Sequence, residues 1–284
     1  MADFIENTGN FVGLDNTQIY YHSWKVDRPR GIIVIVHGIG EHSGRYGNLI
    51  KTLADAEISI YALDHRGHGH SEGKRGHINA FAEYTDDLKT LFKLINTENQ
   101  DLPIILLGHS MGGVIACQYA LLYPHDLSGL ILSSAGFITA ARVPGWKKGL
   151  AKLLSKLAPS FSMPTGLNSN DLSHDQTVVE AYLADPLVHD KVSSRWFIEF
   201  NRAGADCLRR AAELTMPLLI IHGAEDKIVD PQGSQQVMAR ASSPDKKLYL
   251  FKGLYHETMN ELPAEKKKVL NTIRAWIIKH VESR

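Results

Sequence analysis

The chain is expected to fold as an α/β protein in which helices cover both faces of a mostly parallel, doubly wound sheet of eight strands, with a helical insertion near its middle. Three observations predict this. Short β-rich runs alternate with longer helical patterns. Most of those runs are apolar at every position, as strands buried on both faces of a parallel sheet must be. One long stretch shows no strand pattern at all.

Taken in order, NFVGL (Asn10 to Leu14) and TQIYYHSW (Thr17 to Trp24), separated by Asp15-Asn16, read as an antiparallel hairpin at one sheet edge. The continuous strands follow: GIIVIVHG (Gly31 to Gly38), ISIYALD (Ile58 to Asp64), IILLGHS (Ile104 to Ser110), LSGLILSSA (Leu127 to Ala135), LLIIHG (Leu218 to Gly223) and KLYLFKG (Lys247 to Gly253). Between and after them, Arg45 to Ala56, Ala80 to Asn96, Met111 to Tyr123, Gln232 to Ala241 and Ala264 to Val281 are long enough to be crossover or closing helices. The rhythm breaks between about Phe137 and Asp206. The reading is therefore a core of residues 1–136 and 207–284 interrupted by a helical cap of residues 137–206. Inside the cap, Trp146, Leu150, Leu153, Leu154 and Leu157 fall on one helical face, and Lys147, Lys148, Lys152 and Lys156 on the other. Such a helix either packs on the core or roofs a pocket and touches a membrane surface.

Composition bounds the partners. Lys+Arg 31 against Asp+Glu 31 leaves no net charge, which gives no attraction to nucleic acid. Two cysteines, Cys117 and Cys207, build no disulfide framework and fit a reducing compartment. Asp3 and Glu6 stand where a secretory signal carries basic residues, and no run reaches the length of a bilayer span. The chain reads as cytoplasmic, with peripheral contact to a membrane left open.

The chemistry is carried first by GHSMG, Gly108 to Gly112, set directly after a strand and before a helix. A serine at such a turn adopts a strained backbone, glycines two positions to either side give it room, and its hydroxyl stands above the sheet as a nucleophile. This is the nucleophile elbow of the α/β-hydrolase fold. Acyl transfer also needs oxyanion donors, and the N–H groups of Met111, after the serine, and of Ile39, in the HGIG loop His37 to Gly40, are the candidates. His37 itself reads as a structural hydrogen-bonding residue. The base must be a histidine late in the chain, because in this fold the order is serine, acid, histidine, and His256 follows the final strand. For the acid, Asp226 lies beyond the penultimate strand, with Glu225 and Asp230 as rivals; Asp230, ahead of Pro231, suits a helix cap. Glu41 and Arg45 either hold a substrate hydroxyl or pair with each other. Asp64, His68, His70 and His77 suggest a metal site only weakly, since no compact ligand motif accompanies them. No metal or organic cofactor is expected.

Taken together and in this order, HGIGEHSGRY, DHRGHGHSEGKRGH, LLGHSMGG, GAEDKIVDP and the stretch around His256 resemble the monoacylglycerol lipases and related lysophospholipase-like serine hydrolases over nearly the whole chain. The resemblance implies catalytic Ser110, Asp226 and His256 and an oxyanion hole at Ile39 and Met111. It also implies a mobile cap that guides an acyl chain from a membrane surface, where Leu150, Leu153 and Leu154 would join Glu41 and Arg45 in binding a lipid monoester. Family loops often carry a small residue where Ile39 stands, and some relatives carry a cysteine where this chain has His189.

Overall fold

The computed structural model describes residues 4–99, 101–140 and 145–282, with the side chains of residues 146–148 outside that description; the expected face positions Trp146, Lys147 and Lys148 therefore lie outside it too. The hairpin is longer than its turn signal suggested, with β1 (Ile5–Val12) paired antiparallel to β2 (Gln18–Lys25) through the Asp15-Asn16 turn. Then come β3 (Gly31–Val36), β4 (Ile58–Leu63), β5 (Ile104–His109) and β6 (Gly129–Ser133), whose residues are all buried, as their unbroken apolar character requires. A short antiparallel pair, β7 (Ser162–Pro164) with β8 (Lys191–Ser193), lies in the insertion. Buried β9 (Leu218–Gly223) and the edge strand β10 (Lys246–Phe251) close the series.

Eight strands form one sheet in the order β1-β2-β4-β3-β5-β6-β9-β10. Its pairs are parallel from β4 to β10, and β2 joins β4 antiparallel. Alternate residues of each strand feed opposite cores. Ile33, Ile35, Ile105 and Leu107 pack under α1 (Gly47–Leu53) and the C-terminal helix Pro263–Glu282. Val34, Val36, Leu106 and Leu130 pack under α2 (Ala82–Glu98) and α3 (Met111–Leu122). Each such side chain contributes about 1.5–3 kcal/mol when fully buried.

The insertion between β6 and β9 contains α4 (Gly145–Leu157), α5 (Gln176–Ala184) and α6 (Ser194–Arg210). Two expectations change here. The stretch is not free of strands, because β7 and β8 are three residues each, too short to show an alternation in sequence. A boundary at residue 206 falls inside α6, whose Phe200, Ala203 and Cys207 join the same core as α3. The helix thus serves insertion and scaffold at once. Cys117 on α3 and Cys207 on α6 are both buried and free. After β9, α7 (Gln232–Arg240) returns the chain to β10, and the last helix is α8.

Strand and helix approach each other closely at Gly112, where a Cβ would stand 2.0 Å from the Val36 carbonyl oxygen of β3. Gly112→Ala is expected to lower stability by about 1–3 kcal/mol, because a strand carbonyl cannot step aside. Gly149→Ala on α4, where a Cβ meets nothing within 4 Å, should cost nothing. Urea unfolding of both variants reads the contrast, and equal stabilities would contradict the packing described.

Candidate active site

Ser110 sits between β5 and α3 with φ 55° and ψ −118°, a conformation that non-glycine residues avoid. Surrounding bonds hold it there. Its N–H donates to the Ser133 carbonyl at 3.0 Å, and its own carbonyl accepts from the N–H groups of Gly113 and Gly136, each at 3.0 Å. Gly108 is required with Gly112, since a Cβ on it would meet the Gly112 carbonyl at 2.2 Å.

The loop after β10 brings His256 over this turn, and the loop after β9 brings Asp226 behind His256. His256 Nε2 accepts from the Ser110 hydroxyl at 2.9 Å, and its Nδ1–H donates to Asp226 Oδ2 at 2.7 Å. The other oxygen, Oδ1, accepts from the N–H groups of Ile228 at 2.8 Å and Val229 at 2.9 Å. The Ser134 hydroxyl donates to the His256 carbonyl at 2.7 Å and so fixes the backbone from which the ring hangs. Burial disfavours charge on both partners, but their mutual attraction wins: the Asp226 carboxyl is held far below the usual range and the His256 ring is raised. The rival acids are placed elsewhere. Glu225 is exposed, and Asp230 Oδ1 accepts from the Gln232 N–H at 2.9 Å, a capping contact at the start of α7.

On the other side of Ser110, the His37–Gly40 loop is held from two directions. His37 Nδ1–H donates to the Gly38 carbonyl at 2.7 Å, while its Nε2 accepts from the His65 N–H at 2.9 Å; burial lowers its pKa, so the ring is neutral, in keeping with a structural role. Glu41 Oε1 accepts from the Gly38 N–H at 2.6 Å. A trans peptide is planar, so fixing the Gly38 carbonyl also fixes the Ile39 N–H on its opposite side. Met111 is the first residue of α3, where helix N–H groups have no intrahelical partner.

Glu41 and Arg45 do pair, at 2.8 Å, but the pair is part of a larger cluster. Arg45 also grips Glu257 with both Nη1 and Nη2, at 2.8 and 3.0 Å. Burial would raise the Glu41 carboxyl, but Arg45 foremost brings it down to about 2. His109, the residue before the nucleophile, is buried with its ring 4.9 Å from that of His256; burial first, and then His256, push it down to about 4. Local patterns did not single out Glu257, His109 or Ser134. Arg45 and Glu257 lie 212 positions apart, and only the two loops' convergence pairs them.

A cavity of about 20 Å³ adjoins Ser110, lined from the scaffold by Ile39, Glu41, Arg45, His109 and Glu257 and from the insertion by Leu167, Leu172 and Tyr182. The Arg45 guanidinium stacks 4.7 Å from the Tyr182 ring centroid, His42 Nε2–H donates to Asp185 at 2.9 Å, and the His189 N–H donates to the Gly40 carbonyl at 2.9 Å. Gly40 has φ 73°, and a Cβ there would strike the His189 carbonyl. His189 Nε2–H also donates to the Gly67 carbonyl at 3.0 Å. Leu150, Leu153 and Leu154 do not line this cavity. Helix α4 buries Ala151 and Ser155 instead, which leaves Leu150 47%, Leu153 53% and Leu157 75% exposed. Asp64, His68, His70 and His77 are engaged separately: Asp64 accepts from the N–H groups of Ser43 and His70, each at 2.8 Å, His68 bonds the Arg66 carbonyl, and His77 bonds Ser193. Among the described residues no group is placed to hold a metal ion.

Comparison with known proteins adds three findings. Residues 27–263 match the family described as serine aminopeptidase, S33. The chain is 39% identical to a monoacylglycerol lipase of Mycolicibacterium smegmatis over 99% of its own length and 100% of the relative's, and 33% identical to phospholipase YtpA of Bacillus subtilis over 91% and 99%. Among solved structures, the monoacylglycerol lipase of Paleococcus ferrophilus superposes with a TM-score of 0.85 at 33% identity, covering 92% of this chain and 99% of that one.

The electrostatics predict an ordered titration. Followed by NMR of the ring protons, His256 should lose its proton at a pH above 6.5, while His109 remains neutral down to about 4. The free base at Nε2 then dominates only above the raised value. A His256 midpoint at or below 6.5 would contradict the Asp226 contact as its cause.

Proposed function

The chain belongs to the serine aminopeptidase, S33 family, and from that premise we propose that it is a serine esterase that hydrolyses monoacylglycerols to free fatty acid and glycerol through Ser110, His256 and Asp226. The observation that carries this reading is the alignment of one buried imidazole between a hydroxyl at 2.9 Å and a carboxylate at 2.7 Å. Ser110 Oγ attacks the ester carbonyl carbon as its proton passes to His256 Nε2. The Ile39 and Met111 N–H groups receive the oxyanion, and each such donor is worth about 3 kcal/mol of barrier. Collapse breaks the bond to the glycerol oxygen, which takes the proton from His256. Water then attacks the acyl-enzyme, gives its proton to the same nitrogen, and the fatty acid leaves as Ser110 is restored. Every proton in this cycle passes through His256.

The wall beside Ser110 supports a neutral alcohol as leaving group. Glu41 and Glu257 carry two carboxylates against one guanidinium on Arg45, so the wall is negative by one charge. It can accept hydrogen bonds from glycerol hydroxyls and repels a phosphate. A lysophospholipid is the second reading, favoured by the likeness to the Bacillus subtilis phospholipase.

A cavity of about 20 Å³ holds one water, whereas ligands of this class need roughly 300 Å³ or more. This supports a reading in which the segment carrying Leu167, Leu172 and Tyr182 moves aside for productive binding and the insertion between β6 and β9 acts as a cap. Among the described residues no helix is long and apolar enough to cross a membrane. The exposed Leu150, Leu153, Leu157 and Phe161 instead fit peripheral contact with a lipid surface. Leu167, itself 40% exposed, connects the cap surface to the Ser110 cavity.

Two measurements test this reading. On a panel of monoacylglycerols, lysophospholipids and short p-nitrophenyl esters, turnover should be highest on a monoacylglycerol, and Ser110→Ala should retain less than about 1% of it while remaining folded. Preference for a lysophospholipid would select the second reading, and an active Ser110→Ala would remove the nucleophile. Leu153→Asp should weaken co-sedimentation with neutral lipid vesicles several-fold without changing hydrolysis of a soluble ester. Unchanged vesicle binding would contradict docking through that face.

A further inference from the structure

Strand β9 ends in Ile221-His222-Gly223. Its side chains alternate, with Leu218 and Ile220 in the α3-side core, and His222 follows them on that face, between the Asp226 loop and the start of α7. The ring is fully buried and has both nitrogens engaged. Nε2 lies 3.1 Å from Asp226 Oδ2, and Nδ1 lies 2.7 Å from the hydroxyl of Ser234, a buried residue of α7. A carboxylate can only accept, so Nε2 carries the hydrogen, while Nδ1 bonds the Ser234 hydroxyl. Strand, loop and helix thereby hold the ring in one orientation.

Asp226 consequently receives four N–H groups, two backbone amides on Oδ1 and two imidazoles, His222 and His256, on Oδ2. The amides fix Oδ1 but leave the carboxylate free to pivot about it. We infer that His222 is a positioning residue of the hydrolytic site: by donating to the oxygen that His256 uses, it fixes the plane of the Asp226 carboxylate and limits how strongly that carboxylate favours protonated His256. This rests on the reading of Ser110, His256 and Asp226 as the reacting set.

The second effect follows from sharing. Each donor on Oδ2 takes up part of the oxygen's negative charge, so the oxygen offers less to the imidazolium of His256. A general base is most useful with a pKa close to the working pH, because a ring that holds its proton too firmly is seldom the free base. His256 faces several titratable groups: Asp226, its neighbour Glu257, Glu41 beside the His37–Gly40 loop, and the ring of His109 at the end of β5, with Arg45 between the two glutamates. Among the described residues the hydrogen-bond partners of His222 are Asp226 and Ser234. A change at His222 thus reaches His256 through the carboxylate.

The test is the pH profile of kcat and KM for a soluble p-nitrophenyl ester, with fluorophosphonate labelling of Ser110 read in parallel by mass spectrometry. His222→Leu should shift the acid limb upward by about half a unit and lower the plateau kcat about tenfold, with KM within about twofold. His222→Gln, which keeps an N–H where Nε2 stood, should return limb and plateau close to wild type, a rescue that lost packing alone would not give. An acid limb unmoved in His222→Leu overturns the inference. If that variant does not fold, His222→Asn decides: its shorter amide stands where Nδ1 faced Ser234 and leaves Asp226 Oδ2 without the donor, so the limb should rise by about half a unit, and a wild-type limb overturns the inference. Wild-type protein without label on Ser110 would instead sink the underlying reading of the site, whereas labelled Ser110 with an unmoved limb sinks the role of His222 alone.

Discussion

Between β5 and α3 the backbone turns through a single serine with positive φ, and nearly every other close contact around the site serves that turn. Ser110 is held by the Ser133 carbonyl on one side and the amides of Gly113 and Gly136 on the other, while Gly108 and Gly112 allow strand and helix to approach closer than any Cβ would permit. The same turn puts the hydroxyl above the sheet and the N-terminus of α3 beneath it. Sheet order supplies the rest. Since β5, β6, β9 and β10 are consecutive neighbours running parallel, the loops after β9 and β10 open on the same rim as Ser110.

Charge is the second organising quantity. Four ionised side chains, Glu41, Arg45, Asp226 and Glu257, are buried or nearly so within this small volume, a costly arrangement unless each is paired. Three of them form a chain of contacts from the Gly38 amide through Glu41 and Arg45 to Glu257, the residue adjoining His256. The His37–Gly40 loop and the loop carrying His256 are thereby held at a fixed separation. Tyr182 rests on Arg45, so the insertion contacts this cluster directly. Displacement of the segment carrying Tyr182 would expose the guanidinium and its carboxylates.

The sequence revealed most where chemistry and local geometry coincide. Continuous apolar runs marked the buried strands because burial on both faces leaves no polar positions, and GHSMG could be read because strand, glycine spacing and helix lie within a few residues. The order of chain elements was enough to bring His256 and Asp226 near Ser110. It was not enough for groups that act across the fold. His222, four residues before Asp226, looked like part of a strand, and Glu257, adjoining His256, gave no hint of its partner Arg45. The leucines of α4 were legible as an apolar face, but which face a helix buries depends on its neighbour. Here α4 packs on α6 and buries the small pair Ala151 and Ser155, while Leu150, Leu153 and Leu157 are left outward. The β7–β8 pair escaped notice for want of length.

All of this depends on the hydroxyl at the β5–α3 turn becoming covalently bonded to the acyl group. Acid quench within the first turnovers on a monoacylglycerol, followed by peptide mass spectrometry, measures that bond directly. The account predicts one acyl mass on the peptide containing Ser110, lost on longer incubation as fatty acid appears. Turnover with the acyl group on another residue, or with water oxygen entering the product and no acylated peptide at any time, would contradict it.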